Sequence, residues 1–246
     1  MSKKYELTNE TKTLAGGTVL HRIHALRDIP RFGVKAGELG GFVEGENNLS
    51  QDGDAWVSGD ADVSGNAWVF GNAWVSGNAC VFGNAWVFGN AKVYGNAKVY
   101  GNAEVFGNAK VFGNAKVYGN AWVYDNARVY DNAEIYGDAW VFGNANVSGN
   151  AEISGYARVS GYAEISGNAE ISDNSDYMVI KNTWSSGRWF TYTRSNKKWA
   201  VGCFYGTGEE LIKKAYADSE LSGRCYEAIV HAVETIEAAK AEAKAR

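Results

Sequence analysis

The sequence predicts a mainly β protein built around a solenoid, and three observations support this prediction. Ala recurs at every sixth position from Ala55 to Ala169 without a gap. Two residues after each Ala, the position is Val or Ile in all twenty units from Val57 to Ile171. A corner pair, most often Gly-Asn, closes each unit. A short fixed period of this kind is typical of a solenoid, in which each unit buries its apolar side only against its neighbours.

Each unit reads Ala-x-Val-x-Gly-Asn, and its first four residues have the period of a β-strand. Ala and Val therefore face one way and the two x residues face the other. The Gly-Asn pair predicts a corner, because Gly takes a positive φ freely and Asn tolerates it better than most residues. Where the pair varies, one residue that tolerates a positive φ remains, namely Asn in Asp125-Asn126 and Gly in Gly155-Tyr156. The sequence leaves open which residue of each pair has the positive φ.

Three such units make one triangular coil with Ala and Val inside. Pairs such as Ala67 with Val69 and Ala73 with Val75 resemble the motif of hexapeptide-repeat proteins. This resemblance implies a left-handed parallel β-helix. Twenty units correspond to six to seven coils, and we assign the β-helix to residues 55–174.

The segment before the repeat, residues 1–54, is predicted to form an N-terminal cap. A solenoid end exposes unpaired backbone and apolar interior, which a cap covers. Lys4–Thr8 and Thr18–Leu26 are expected to form two short strands. Leu39 lies a whole coil, or three repeat units, before Val57, so we expect the first coil to begin at Leu39 in degenerate form.

Residues 175–246 break the period and predict a small C-terminal α+β domain. The predicted strands are Tyr177–Trp184, Arg188–Arg194 and Lys198–Tyr205. The predicted helices are Glu209–Ala217 and Tyr226–Ala245, with Ile229, Val233 and Ile236 on one face of the second. A recognition surface in this domain could comprise Trp184, Arg188, Arg194 and Trp199, although strands that alternate aromatic and polar residues are also typical of an ordinary sheet.

Two shorter stretches resemble hexapeptide-repeat proteins encoded by phages and prophages. They are Leu39-Gly40-Gly41-Phe42-Val43 and Gly202-Cys203-Phe204-Tyr205-Gly206-Thr207-Gly208. This second resemblance implies a phage or prophage accessory role in the host cell cytoplasm, such as interference with a host pathway. Those proteins are often described as transferases on the basis of fold, which is an analogy rather than evidence of chemistry.

Charge and cysteine content limit the classes of partner. The net charge of −4 gives no overall field that would favour nucleic acid or an anionic membrane. No apolar run is long enough to cross a bilayer and no leader is evident, so we expect neither a membrane span nor a signal peptide. The three cysteines, Cys80, Cys203 and Cys225, are widely spaced, which favours a reduced, cytoplasmic chain.

Catalysis has little support in the residues. Acyltransferases with this fold use a His as general base, and the carbonic anhydrases with this fold need three His ligands for a metal. The repeat contains no His and no extruded loop, and the three histidines are His21, His24 and His231. We therefore predict no catalytic residue, no metal and no cofactor, and keep an acyltransferase-like enzyme as an alternative.

Outward residues three units apart stack on one face of the helix, and one face is mostly aromatic. Its aromatic residues are Trp68, Phe70, Trp86, Phe88, Phe106, Trp122, Tyr124, Trp140 and Phe142. We call this the aromatic face. Aromatic enrichment is typical of interface cores, so we predict a homo-oligomer, with a trimer favoured by the resemblance. The alternative is that these rings only stack on one another or are covered by the terminal segments.

A second face, the basic face, combines cations with rings. A candidate site for a nucleotide-like anion comprises Lys92, Tyr94, Lys110, Phe112, Arg128 and Tyr130, with Lys98 and Lys116 from the adjoining face. Cations beside aromatic rings can hold a phosphate and stack a base. The alternative is a solvated face whose lysine stems cover the rings.

The third face, the mixed face, carries Asp62, Cys80, Lys98 and Lys116 and then the acidic residues Glu134, Glu152 and Glu170. These carboxylates could chelate calcium, although stacked carboxylates are more often solvated. Taken together, the sequence favours a non-enzymatic, homo-oligomeric binding or scaffold protein. Its partners would be copies of itself, a host protein or an anionic small molecule.

Overall fold

A computed structural model describes residues 3–244 of the chain. The chain divides after Asn174 into two compact units. The first unit contains the cap and the solenoid, and the second contains a four-stranded sheet with two helices.

Twenty two-residue strands, β4 to β23 in chain order, form three parallel sheets, and each sheet is one face of the solenoid. The aromatic face consists of β6 (Trp68–Val69), β9 (Trp86–Val87), β12 (Glu104–Val105), β15 (Trp122–Val123), β18 (Trp140–Val141) and β21 (Arg158–Val159). The basic face consists of β4 (Trp56–Val57), β7 (Trp74–Val75), β10 (Lys92–Val93), β13 (Lys110–Val111), β16 (Arg128–Val129), β19 (Asn146–Val147) and β22 (Glu164–Ile165). The mixed face consists of β5 (Asp62–Val63), β8 (Cys80–Val81), β11 (Lys98–Val99), β14 (Lys116–Val117), β17 (Glu134–Ile135), β20 (Glu152–Ile153) and β23 (Glu170–Ile171).

These sheets confirm the predicted parallel β-solenoid, which has about seven coils. Every Ala and every Val or Ile of the twenty units is buried. Three backbone N–H groups in a unit donate to the next coil: that of Lys92 to Ala109 at 2.9 Å, that of Tyr94 to Val111 at 3.0 Å and that of Asn96 to Gly113 at 2.8 Å. Because each coil satisfies the backbone of the previous one, only the terminal coils need a cap.

The corners favour Gly for two reasons. The first residue of the pair has the positive φ, as at Gly89 with φ 68°. A Cβ at Gly89 would also lie 2.9 Å from the backbone nitrogen of Gly107 in the next coil. Asp125 and Asp131 take the same conformation, with φ of 57° and 58°. The Asn in the second corner position therefore does not supply the left-handed backbone.

Asn instead forms hydrogen-bonded ladders along the corners. The Asn72 amide donates to Asn90 at 3.4 Å, Asn90 to Asn108 at 3.0 Å and Asn108 to Asn126 at 3.2 Å. Corresponding ladders follow the other two corners. Side-chain ladders of this kind, repeated at the strand spacing, add to the stability of stacked sheets.

The cap is an antiparallel sheet of β1 (Tyr5–Thr13), β2 (Val19–Ala25) and β3 (Leu39–Val43), and β3 continues into the mixed face by pairing with β5. The predicted first strand is too short, since β1 extends to Thr13. The expected first-coil register is wrong. Val43, not Leu39, has the inward position and pairs with Val63, while Leu39 is 53% exposed.

The cap closes the base of the solenoid with polar groups that are fully paired. The buried Lys4 ammonium donates to the Ala55 carbonyl at 2.7 Å, and the Tyr5 hydroxyl donates to the Leu49 carbonyl at 2.7 Å. Burial lowers the pKa of Lys4 to about 8. A 3₁₀ turn at Pro30–Phe32 adds Phe32, which stacks on Trp74 of the basic face at 5.5 Å.

The second unit contains one more strand than predicted. It consists of β24 (Tyr177–Lys181), β25 (Trp189–Thr193), β26 (Lys198–Val201), β27 (Phe204–Gly206), α1 (Gly208–Asp218) and α2 (Glu220–Lys244). A turn at Gly202, with φ 58°, divides the predicted third strand into β26 and β27. Thr207 caps α1 by accepting from the Glu210 N–H, and Glu210 accepts from the Thr207 N–H.

Side-chain placement in this unit differs from the sequence expectations. Ile229 and Val233 are buried as predicted, whereas Ile236 is exposed. Trp199 is buried in the core, and Arg194 is held by Glu237 with nitrogen–oxygen distances of 2.9–3.1 Å. Neither side chain is therefore available for a recognition surface in this domain. Over residues 3–244, neither helix has the length and apolar character that crossing a membrane requires.

Candidate functional site

The aromatic face carries a continuous ladder of stacked rings. Phe70, Phe88, Phe106, Tyr124 and Phe142 follow one another with ring centroids 4.8–5.0 Å apart and interplanar angles of 1–6°. The spacing equals the distance between parallel strands, so each ring lies on the ring of the previous coil. These five rings therefore stack on one another along the solenoid, and all of them are half-buried.

The tryptophans form a second column, in which Trp68 and Trp86 are exposed and Trp122 and Trp140 are half-buried. Trp68 and Trp86 are 37% and 43% exposed, and their rings meet edge to face at 6.1 Å. Trp122 stacks on Trp140 at 4.9 Å. The four indole N–H groups have no acceptor among the residues of the described chain. The column thus offers both apolar surface and unpaired donors.

Glu104 interrupts the tryptophan column between Trp86 and Trp122. Burial against the aromatic surroundings raises the pKa of this carboxyl group. A charge in this position is costly to cover with apolar surface, because its hydration is lost. Any surface that packs here must therefore either pair with the Glu104 carboxylate or cover it in its protonated form.

The basic face contains the predicted rings but uses one of its cations internally. Tyr94, Phe112 and Tyr130 stack at 4.9 and 5.0 Å. Lys92 lies over the Trp74 ring at 5.3 Å. Lys110 and Arg128 are neighbours in register, and within residues 3–244 no carboxylate lies within ion-pair distance of either.

The two lysines predicted to join this site belong to the mixed face. Lys98 and Lys116 are paired in register on β11 and β14. Lys116 donates to Glu134 at 2.7 Å, and this hydrogen bond is the main reason that the pKa of Glu134 is lowered. The structure thus groups Lys110 with Arg128, and directs Lys116 towards a carboxylate of its own face.

The acidic residues of the mixed face are used in local hydrogen bonds. Glu134 also accepts from the Tyr118 hydroxyl at 3.0 Å, and Glu152 accepts from Tyr136 at 3.1 Å. Over residues 3–244, no group of three or more His, Cys, Asp or Glu side chains is arranged to hold a metal ion. Sequence reasoning missed these tyrosine–glutamate pairs, although the constant spacing between Tyr and Glu along the chain was readable.

The histidines of the cap lie on strand β2 and make local contacts. His21 Nδ1 is 3.2 Å from the Thr8 carbonyl oxygen, and His24 Nδ1 is 3.2 Å from a Glu6 carboxylate oxygen. Both partners belong to β1 of the cap. These contacts give each ring a structural partner within the cap sheet.

A cavity of about 440 Å³ opens between the mixed face and the β1–β2 turn. Its floor contains Asp62, Cys80 and Lys98 on successive strands, and the neighbouring outward row contributes Ser64 and Phe82. Leu14, Ala15 and Gly16 of the turn form one wall. No pattern in the sequence signals this cavity, because it depends on where the turn crosses the sheet.

Comparison with protein-family models and with curated proteins finds no match to this chain. The structure defines its class as a parallel β-solenoid consistent with the hexapeptide-repeat β-helix.

Proposed function

We propose that this protein is a non-enzymatic binding or scaffold protein that self-associates through its aromatic face. The observation that carries the proposal is the exposure of Trp68 and Trp86 beside a continuous ring ladder. Rings enriched on one surface are typical of the buried cores of protein interfaces. The unpaired indole N–H groups would find acceptors on the facing copy.

A homotrimer is the favoured assembly, because the hexapeptide-repeat proteins that the chain resembles commonly pack their helix faces around a three-fold axis. The resemblance to phage and prophage proteins extends the proposal to an accessory role in the host cytoplasm. There the rigid solenoid would present its remaining faces to a host protein.

The size of the aromatic face sets the expected affinity. Five strand intervals give it a length of about 24 Å, and a width of about 15 Å makes its area about 350 Å². Three copies that bury this face around one axis would bury about 1,050 Å² in all, which lies below the range of stable interfaces. We therefore expect association in the micromolar range, which shifts with protein concentration.

The test compares Phe88→Lys with Tyr100→Lys. Each residue lies between two stacked rings, Phe88 with neighbours at 4.8 and 4.9 Å and Tyr100 with neighbours at the same distances. The two variants should therefore lose similar folding stability. Sedimentation velocity over a concentration series should show that Phe88→Lys is monomeric whereas Tyr100→Lys associates like the wild type. A monomeric wild-type protein throughout the series, or equal dissociation of both variants, would refute the proposal.

A second candidate function is the binding of a nucleotide-like anion by the basic face. The observation that favours it is the adjacent pair Lys110 and Arg128 beside the ring ladder, with no carboxylate partner within the described chain. ATP, cyclic dinucleotides and nucleotide sugars are suitable probes of the melting temperature. Lys110→Glu should abolish any shift, whereas Lys116→Gln, which alters the pair with Glu134, should retain it. Absence of a shift with every probe counts against this function.

A further inference from the structure

The ring ladder of the mixed face ends one position early, at the cavity described above. Phe82, Tyr100, Tyr118 and Tyr136 stack with centroids 4.8–5.1 Å apart and interplanar angles of 0–8°. In the coil before Phe82, the same position is Ser64. Phe82 stacks only on Tyr100 within residues 3–244, and it remains 36% exposed. The face of its ring that points towards Ser64 is therefore uncovered by another ring.

Two polar side chains beside this gap, those of Ser64 and Lys98, have no hydrogen-bond or ion-pair partner within residues 3–244. The Ser64 residue is 8% exposed and lines the cavity, and its hydroxyl has no hydrogen-bond partner within the described chain. Lys98 lines the same cavity, is exposed, and has no carboxylate within ion-pair distance in residues 3–244. Asp62 is neutralised by Lys12, whose ammonium lies 2.8 Å from both carboxylate oxygens. The net charge of these groups is therefore positive.

On the basic face, a residue of the cap covers an outward ring of the row that precedes Val. There Phe32 of the cap stacks on Trp74, and the Trp74 indole N–H donates to Ser58 at 2.9 Å. On the mixed face, the β1–β2 turn instead contributes Leu14, Ala15 and Gly16 as a wall and leaves space beneath Phe82. A volume of about 440 Å³ is within the range of small-molecule sites.

We propose that this cavity binds a planar aromatic acid, whose ring occupies the missing position of the ladder beneath Phe82. The ring would stack on Phe82 at the strand spacing, with Leu14 against its edge. Its carboxylate would pair with the Lys98 ammonium and accept from the Ser64 hydroxyl. The site lies on the mixed face, so it is independent of association through the aromatic face.

Cys80 in the floor of the cavity provides a direct reporter. Cys203→Ser and Cys225→Ser leave Cys80 as the single thiol of the chain. The rate of its alkylation by iodoacetamide is then measured with 2-naphthoate as the probe. At a concentration of about five times Kd, bound probe should slow alkylation about sixfold. Cyclohexanecarboxylate, which carries the acid without a flat ring, and 2-naphthylmethanol, which carries the ring without the acid, should protect far less.

Ser64→Phe tests the missing ring position itself. The new ring should continue the ladder, so the variant should melt at or above the wild-type temperature while the protection by 2-naphthoate disappears. Lys98→Gln, which keeps the fold and removes the cation, should weaken protection about tenfold in Kd. Lack of protection by millimolar 2-naphthoate, equal protection by cyclohexanecarboxylate, or unchanged protection in Ser64→Phe would each overturn the proposal. If Ser64→Phe fails to fold, the Lys98→Gln result decides.

Discussion

The buried Lys4 of the cap should make the stability of the solenoid rise with pH in an unusual window. Its ammonium donates to the Ala55 carbonyl at the base of the solenoid, and burial lowers its pKa from 10.5 to about 8. Below this folded-state pKa, the folded and unfolded chains both carry the proton. Between the two pKa values the folded chain loses the proton while the unfolded chain retains it, so stability increases with pH.

The magnitude follows from the two pKa values. Their difference corresponds to about 3 kcal/mol over the full window, and about 2 kcal/mol of this should appear between about pH 7 and about pH 9.5. The measurement stops there because burial raises the pKa of the neighbouring Tyr5. Above about pH 10 the unfolded tyrosine ionises while the folded one does not, which removes stability as pH rises.

The assay is urea denaturation followed by circular dichroism at several pH values, for the wild type and for Lys4→Met. Methionine keeps the length and removes the titrating group, and Tyr5 is common to both proteins. The unfolding free energy of the wild type should rise by about 2 kcal/mol relative to that of Lys4→Met across the window. Parallel pH dependence of the two proteins would show that Lys4 is not desolvated as the structure indicates.

Two further substitutions test the corner and the aromatic face. At Gly89 an added Cβ would have a positive φ and would also lie 2.9 Å from the Gly107 nitrogen, whereas at Gly161 it would have φ 68° and no atom within 4 Å. Thermal denaturation should therefore show that Gly89→Ala loses at least about 2 kcal/mol of stability and Gly161→Ala about 1 kcal/mol. Equal losses would contradict the steric argument. Glu104→Gln should tighten association about tenfold, because an uncharged side chain is cheaper to cover. For the same reason wild-type association should weaken as pH rises through the pKa of Glu104, which burial already raises. Sedimentation at about pH 5 and about pH 8 should show this weakening for the wild type but not for Glu104→Gln. A pH response in Glu104→Gln would show that another group causes the pH dependence.

The outward residues of the candidate sites could be sorted correctly from the sequence. Residues three units apart, such as Phe88 and Phe106, do lie on one face and stack at 4.9 Å. The partners of the charged residues follow the same spacing, since Lys116 binds Glu134 and Lys92 covers Trp74, each three units away. The spacing does not decide which of its two stacked neighbours a charged side chain contacts, because that depends on the direction the side chain takes.

The sequence by itself determined the repeating body of this protein. A six-residue period with Ala and Val inside and Gly at the corner fixes each unit through its own backbone and its nearest neighbours. These interactions are local, so they can be predicted from the order of residues along the chain. The alternation that buries Val57 through Ile171 is of this kind.

Only the tertiary structure decided how the repeat packs against the N-terminal cap. Val43 rather than Leu39 enters the first coil, because the register of β3 is set by closure of the whole cap sheet. The cavity beside Phe82 is formed jointly by the β1–β2 turn and by the mixed face around Ser64. Both features join segments that are distant in sequence, and contacts of this range leave no periodic signal in the chain.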